Sequence, residues 1–346
     1  MKILVLGDHF LKKEIVEQKL SDALKGFEQV EFIGMTSNWP MTPFAKNEEI
    51  AEYEGSEEVI ISAIKEADAV VLHAAPISER VLAAAENLKL IGVVRGGPRN
   101  VNVDAATRRG IPVINTPGRN AVAVVEFTVG LILAELKNIA RAHANMVQGD
   151  WRKEYYLYDQ CKFELTDKTI GLVGFGNIAY RLSTILKAFG MRVVAYDPFV
   201  PDRQMEAYGV EPVGFEELLE RSDIVSVHAR LTQETKEMFN AAVFKQMKKS
   251  ALFVNTARGG LVNYKDLADA LDSGEIACAA LDVYAEEPVD FDSPIMRCSN
   301  VTFTPHIAGA TKDTVHYGLD LLSKDIVNFF KGEKIDNCLN PSVLRV

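Results

Sequence analysis

The sequence predicts an α/β protein made of two doubly wound parallel-sheet domains. Three observations predict it. The chain has 346 residues, a length that suits two domains of ordinary size. Short, wholly apolar runs alternate with segments of helical spacing through both halves, which is the pattern of parallel strands covered on both faces. A stretch without a clean period, residues 151–167 (WRKEYYLYDQCKFELTD), separates the two series.

In the first series KILVLG (2–7), VEFIG (30–34), AVVLH (69–73), LIGVV (90–94) and PVIN (112–115) read as strands. Residues 57–67 and 78–87 carry apolar side chains at helical spacing between them. A long helical pattern runs over about 121–148, and Gly149-Asp150 stops it. The 151–167 stretch reads as a surface arm. The alternation restarts with TIGLVG at Thr169. It continues through RVVAYD (192–197), IVSVH (224–228), ALFVNT (251–256), ACAALDVY (277–284) and VTFTPH (301–306). A last helical pattern covers roughly 312–331. No Pro/Gly/Ser-rich linker joins the halves, so hinges are expected near 117–121 and 307–312.

Composition narrows the function. Charged residues make up 25% of the chain, as in an ordinary soluble protein, and the net charge is −10. Nucleic acid and anionic membranes select basic surfaces and are not expected as partners; a small anionic substrate can still meet a locally positive pocket. Cys161, Cys278, Cys298 and Cys338 form no CxxC pair, so no metal site is expected, and scattered thiols suit a reducing cytoplasm. The apolar run after Lys2 stops at Gly7-Asp8, too short for a signal peptide, and no run approaches the ~20 residues of a membrane span.

Gly174-Phe175-Gly176-Asn177-Ile178-Ala179 matches GxGxxG/A. It follows a strand and opens a helix, the context in which the match gains meaning. The first glycine permits a tight turn, the second lets backbone approach a pyrophosphate, and the helix N-terminus favours its charge. Asp197, 23 residues beyond Gly174, ends the next strand where an acid would bond ribose hydroxyls. The opening strand ends Gly7-Asp8-His9-Phe10 and lacks the second glycine, so it reads as a plain strand-end turn. The dinucleotide is therefore expected in the second half and the substrate in the first.

Three later strand ends carry unusual polar groups: NTARGG (255–260), ALDVYAEEP (280–288) and TPHIAGAT (304–311). In a doubly wound sheet the C-terminal strand ends converge on the ligand crevice. Arg258 can grip a carboxylate bidentately. His306 can exchange a proton with a hydroxyl or carbonyl oxygen near neutral pH, and Glu287 beside it would favour the charged imidazole. With a nicotinamide cofactor these groups suit hydride transfer at the carbon next to a carboxylate.

Read together with GRNAVAVVEFTVGLIL (118–133), FGMRVVAYDP (189–198) and VHARLTQET (227–235), these segments resemble the D-isomer-specific 2-hydroxyacid dehydrogenases, including the phosphoglycerate dehydrogenase-like members. The resemblance runs from about Leu90 to Thr314. It implies a Rossmann NAD-binding domain, residues 119–310, inserted into a discontinuous flavodoxin-like substrate domain, residues 1–118 plus 311–346, with no regulatory C-terminal domain. It implies an NAD-dependent dehydrogenase in which Arg258 binds the substrate carboxylate. His306 is then the acid in reduction and the base in oxidation, with Glu287 as its partner. NAD would be held by the glycine loop (Gly174, Phe175, Gly176, Asn177, Ile178), by Tyr196, Asp197 and Pro198, and by His228, Ala229 and Thr235. Thr256, Ala257, Arg258, His306 and Gly309 complete that set, with Asp282 on the nicotinamide carboxamide. Backbone at Gly96 and Gly97 would meet the substrate carboxylate. A homodimer is expected, through the helix after Gly118 and the arm.

The chain departs from the family pattern in RGGPRNVNVD (95–104), where Pro98, Arg99 and Asn100 replace Thr, Gly and an apolar residue. Arg99 either grips the far end of a substrate that carries a phosphate, a second carboxylate or several hydroxyls, or points to solvent or pairs with an acid of the other domain. Arg230 replaces a frequent proline. His73 is either a substrate contact or a loop histidine, His228 a brace of the cofactor loop, and His143 and His316 are structural or exposed. The 155–158 aromatic run suits arm packing or a dimer contact. Two other readings remain: an NAD-sensing corepressor on the same fold, and a formate dehydrogenase-like enzyme. The latter pairs its histidine with glutamine, against Glu287. The particular 2-hydroxy acid and the favoured direction stay open.

Overall fold

The structure is a computed structural model that describes residues 1–344. The chain forms two units, one of Met1–Asn120 with the segment that starts at Ala310, the other of Ala121–Gly309.

The first unit holds β1 (Lys2–Gly7), β2 (Glu31–Thr36), β3 (Ala45–Lys46), β4 (Ala51–Tyr53), β5 (Ala69–Leu72), β6 (Leu90–Val93) and β7 (Val113–Ile114). Five of these make a parallel sheet in the order β2-β1-β5-β6-β7, the flavodoxin-like arrangement. Side chains alternate between its two faces. Leu4, Leu6, Val70, Leu72, Ile91 and Val93 pack with Ile60, Ile64, Val81 and Leu82 of the helices Glu57–Ile64 and Glu79–Ala84. Ile3, Val5, Ala69, Val71 and Leu90 pack with Val16 and Leu20 of the helix Lys13–Ala23 and with Leu319, Leu322 and Ile326 of the helix Lys312–Lys331. Wholly apolar strands are therefore the consequence of two covered faces. The β3–β4 hairpin is a two-stranded antiparallel addition too short to leave a periodic signal.

The second unit holds β8 (Thr169–Val173), β9 (Arg192–Tyr196), β10 (Glu211–Pro212), β11 (Ile224–Val227), β12 (Leu252–Asn255), β13 (Cys278–Leu281) and β14 (Val301–Phe303). The order β10-β9-β8-β11-β12-β13-β14 is the doubly wound dinucleotide-binding order with a seventh parallel strand. Direction reverses between β8 and β11, so the loop after β8 opens into the crevice.

The single helix expected over 121–148 is two helices, Ala121–Leu136 and Ile139–Val147, broken at Asn138 in the left-handed region (φ 54°). Asparagine tolerates that conformation better than most residues. The break lets Arg141 turn back onto the fully buried Glu135, with two bonds of 2.8 Å, while Lys162 of the arm takes the same carboxylate. A straight helix would send residue 141 to another face. The arm holds two 3-10 turns, Lys153–Tyr156 and Tyr158–Gln160. Among the described residues no helix is long and apolar enough to cross a membrane, and no cluster of His, Cys, Asp and Glu could hold a metal.

Candidate active site

The glycine loop takes its shape from sterics. Gly174 has φ 93°, and a Cβ there would lie 2.7 Å from the Ala229 amide nitrogen and the His228 carbonyl carbon. Only glycine lets the strand ends of β8 and β11 come so close. Gly176 caps the helix Asn177–Ala188, and a Cβ there would meet nothing within 4 Å, so its backbone is open to a ligand. The side chains of Phe175 and Ile178 pack on the core behind the loop. Asp197 ties the loop to β9: Oδ2 accepts the Phe175 N–H at 2.8 Å and Oδ1 the Phe199 N–H at 2.9 Å. Beside it opens a cavity of about 720 Å³ lined by Tyr196, Asp197, Pro198, Arg203 and Val213.

His228 donates its N–H to the Val173 carbonyl at 2.7 Å, which fixes the loop after β11. Its ring meets Ser226 Oγ at 2.9 Å through Nε2, while Nδ1 is buried without a partner. Burial pushes this imidazole down to about 4, so it is neutral at physiological pH. Thr235 Oγ1 donates to the Arg230 carbonyl at 2.6 Å and closes the exposed loop that Arg230 occupies. Thr256 Oγ1 meets Thr128 Oγ1 at 2.9 Å.

Asn255, which the sequence reading did not single out, shapes the next turn. Its Oδ1 accepts the Ala257 N–H and its Nδ2 donates to the Arg258 carbonyl, both at 3.0 Å. Its one sequence signal is an amide side chain at a strand end three residues before the arginine. A Cβ on Gly259 would lie 1.9 Å from the Tyr284 carbonyl group, so that turn rests directly on the backbone after β13. The exposed Arg258 guanidinium donates to the Ala257 carbonyl at 2.7 Å and forms no ion pair among the described residues.

His306 lies in the left-handed region (φ 55°), a costly conformation for a residue with a Cβ. Asp282 holds it there. This fully buried carboxylate accepts from Thr304 Oγ1 (2.7 Å), the Ile307 N–H (2.9 Å) and the Ala308 N–H (2.9 Å), on both sides of the histidine. Glu287 accepts the Tyr284 N–H through Oε1 at 3.0 Å and meets His306 Nδ1 through Oε2 at 2.6 Å. Burial alone would lower the imidazole, but the Glu287 hydrogen bond and charge raise it above its ordinary value, against the opposing charge of Arg258. Nδ1 is committed to Glu287, so Nε2 is the atom available for proton exchange. Gly309 ends this loop.

Gly96, Gly97 and Arg99 belong to the first unit, after β6. Both glycines are exposed, and nothing lies within 4 Å of a Cβ built on Gly97. The Arg99 side chain is 59% exposed and lies 3.7 Å from Glu52. Asn100 is buried and donates to the carbonyls of His73 (3.0 Å) and Ala75 (2.7 Å), which accounts for a polar residue at this buried position. His73 is buried against Asp8 and Arg119, whereas His143 and His316 are exposed on helices.

Residues 129–308 match the family model described as D-isomer specific 2-hydroxyacid dehydrogenase, NAD binding domain. A D-3-phosphoglycerate dehydrogenase of Archaeoglobus fulgidus is 37% identical over 83% of this chain and 54% of its own length. The chain thus spans about half the length of that relative. A glyoxylate reductase of Korarchaeum cryptofilum is 35% identical over 84% of this chain and 88% of its own. The structure of a D-lactate dehydrogenase with NAD+ from Lactobacillus jensenii superposes with a TM-score of 0.75 at 27% identity, covering 98% of this chain and 99% of that one.

Proposed function

Because the chain belongs to the D-isomer specific 2-hydroxyacid dehydrogenase family, we propose that it is an NAD-dependent oxidoreductase acting at C2 of a D-2-hydroxy acid or the corresponding 2-keto acid. The observation that carries this reading is the 2.6 Å contact of Glu287 with His306, on a loop clamped by Asp282 and within the field of Arg258.

The second unit fits a dinucleotide. The open backbone at Gly176 suits the pyrophosphate, and the cavity beyond β9 suits the adenosine, with Asp197 at its edge. When bound, the nicotinamide supplies or accepts the hydride. Arg258 binds the substrate carboxylate and polarises the neighbouring carbonyl. His306 Nε2 gives a proton to the carbonyl oxygen in reduction and takes it from the hydroxyl in oxidation, and Glu287 stabilises the imidazolium form. Asp282, with its three bonds to the loop, aims the imidazole; a bond to the carboxamide would be its fourth. Gly96 and Gly97 offer exposed backbone for the carboxylate. Phosphoglycerate and sugar acids are the substrates this reading favours within the class.

We also infer a homodimer in the cytoplasm. Met146 (52% exposed), Val147 (73%), Trp151 (71%) and Tyr156 (92%) leave apolar surface on the helix Ile139–Val147 and the arm, and the four cysteines are free. A sedimentation-equilibrium mass of one chain would overturn the dimer.

The activity is tested by NADH oxidation over a panel of 2-keto acids, with NAD reduction by glycerate, phosphoglycerate and erythronate beside it. His306→Ala should lower kcat by roughly 10²–10⁴ and leave NADH fluorescence titrations nearly unchanged. NADH binding without turnover of any compound would favour a cofactor-sensing protein instead.

A further inference from the structure

Among the described residues, five buried side-chain polar atoms lack a hydrogen-bond partner. Three of them, Ser37 Oγ, Thr116 Oγ1 and Arg119 Nη1, lie in segments that leave the C-terminal ends of β2 and β7 in the first unit. Asp8 and His73 follow β1 and β5 at the same edge, and between these strands the order of the sheet reverses. Ligands of open α/β sheets bind at such a reversal, outside the carboxyl ends of the strands.

The polar groups there form a chain with an unused end. Asp8 Oδ1 accepts the N–H groups of Phe10 (2.8 Å) and Leu11 (2.7 Å), and Oδ2 meets His73 Nδ1 at 2.7 Å. Nδ1 therefore carries the hydrogen, and Nε2 accepts from Arg119 Nη2 at 3.2 Å. Burial holds the imidazole down at about 4 despite Asp8, so it acts as a neutral acceptor. The guanidinium lies 5.9 Å over the Phe10 ring, and Phe10, Trp39 and His73 pack against one another. No carboxylate lies within 4 Å of Arg119 among the described residues, and Nη1 has no partner. Burial and the charge of Arg95, against the charge of Asp8, bring its pKa down to about 10, which leaves it charged at neutral pH.

The fold makes room for this side chain. A Cβ on Gly318 would lie 2.9 Å from Val94 Cγ1 and 3.1 Å from Arg119 Cδ. Gly318 sits inside the 20-residue helix Lys312–Lys331, where glycine is destabilising and no left-handed φ requires it. The two neighbouring arginines differ from Arg119. Arg95 pairs with Glu52 and donates to its carbonyl at 2.9 Å, and Arg99 is exposed beside the same acid.

We propose that Arg119 is an oxyanion-binding, specificity-determining residue that takes an acidic group of the substrate, a carboxylate or phosphate, with Asp8 and His73 as positioning residues. This rests on the dehydrogenase reading above for the identity of the ligand as substrate. A desolvated guanidinium whose opposing charge, Asp8, reaches it only across the His73 ring is costly, and an anion is the ligand that offsets it. Its fork presents a free N–H beside the one fixed by His73, the geometry that suits carboxylate or phosphate oxygens.

The test begins with calorimetric binding of inorganic phosphate and, separately, succinate to the full chain carrying Arg258→Ala, so that the anion meets one arginine site. One of the two probes should bind, which distinguishes phosphate from carboxylate. Adding Arg119→Met should weaken that probe roughly ten- to a hundredfold. Arg119→Lys, which keeps the charge and loses the fork, should weaken it several-fold and decides the matter if the methionine variant does not fold. His73→Gln, whose amide can donate to Asp8 and accept from Arg119, should retain more affinity than His73→Leu. Equal affinity with and without Arg119, or no binding of either probe, overturns the proposal. In turnover, Arg119→Met should lower kcat/KM for phosphorylated or dicarboxylic 2-keto acids at least tenfold more than for glyoxylate, and an equal loss for both overturns the selectivity. Failure of the dehydrogenase reading would show as no turnover by the unmutated protein, with probe binding still dependent on Arg119.

Discussion

Glu287→Gln removes one negative charge and keeps the shape of the side chain. Glu287 Oε2 lies 2.6 Å from His306 Nδ1, and its other oxygen accepts the Tyr284 N–H, a bond that an amide oxygen or a small rotation can keep. A hydrogen bond to a charged group contributes about 1.5–3 kcal/mol and a neutral one about 0.5–1.5, so the substitution removes about 1–1.5 kcal/mol of support for imidazolium. The histidine and glutamate side chains are 42% and 34% exposed. Solvent screens such a pair, which places the effect at the low end, about 1 kcal/mol or roughly fivefold. The sign follows from the proton. Glu287 raises the His306 pKa, so its loss lowers it. Reduction needs the protonated imidazole, so the alkaline limb of kcat/KM should move to lower pH and activity on that limb should fall roughly fivefold. Oxidation needs the neutral imidazole, so its acidic limb should also move to lower pH, with activity there rising. The assay is kcat/KM in both directions from about pH 5 to pH 10, with NADH affinity measured at each point. Limbs that stay in place, or that move in opposite directions, would refute the coupling of Glu287 to the proton of His306.

Acid stability tests the half-buried histidine that follows β11. His228 is held at about 4 against an ordinary 6.5. Stability from its neutral burial is therefore full above pH 6.5 and is lost as pH falls toward 4, at most about 3 kcal/mol; denaturant unfolding of His228→Gln should show a correspondingly flatter pH slope, and an identical slope would show that His228 does not titrate this way. Asp197→Ala should narrow a preference for NAD over NADP of tens- to several-hundredfold, since its charge repels a 2′-phosphate. Because Asp197 also accepts the Phe175 and Phe199 amides, the same variant should weaken both cofactors, as kcat/KM for each will report. Gly259→Ala drives a Cβ to 1.9 Å from the Tyr284 carbonyl and should lower the melting temperature and activity together, whereas Gly97→Ala, with nothing within 4 Å, should leave the melting temperature unchanged.

The parts of this protein legible in its sequence are those that depend on near neighbours along the chain. Strand alternation gave the two parallel sheets because a strand covered on both faces must be apolar throughout. The glycine loop was readable because strand, turn and helix follow one another within a few residues. Arg258, Glu287 and His306 stood out as charged or titratable groups at apolar strand ends. Tertiary structure decided what rests on distant residues. The 121–148 helix breaks at Asn138, and Arg141 and the arm's Lys162 both reach the buried Glu135. Asp282, expected at the cofactor, spends its oxygens on the His306 loop 25 and 26 residues away. Arg99 caught the eye as a departure from the family pattern, yet it is exposed beside Glu52. Arg119, whose Nη1 is buried without a partner among the described residues, is fixed by a histidine 46 residues earlier, itself fixed by an aspartate 65 residues before that. No local pattern links those three. They meet because β1 and β5 are neighbours at the reversal of the sheet, and burial there removes the water that would otherwise satisfy each group alone.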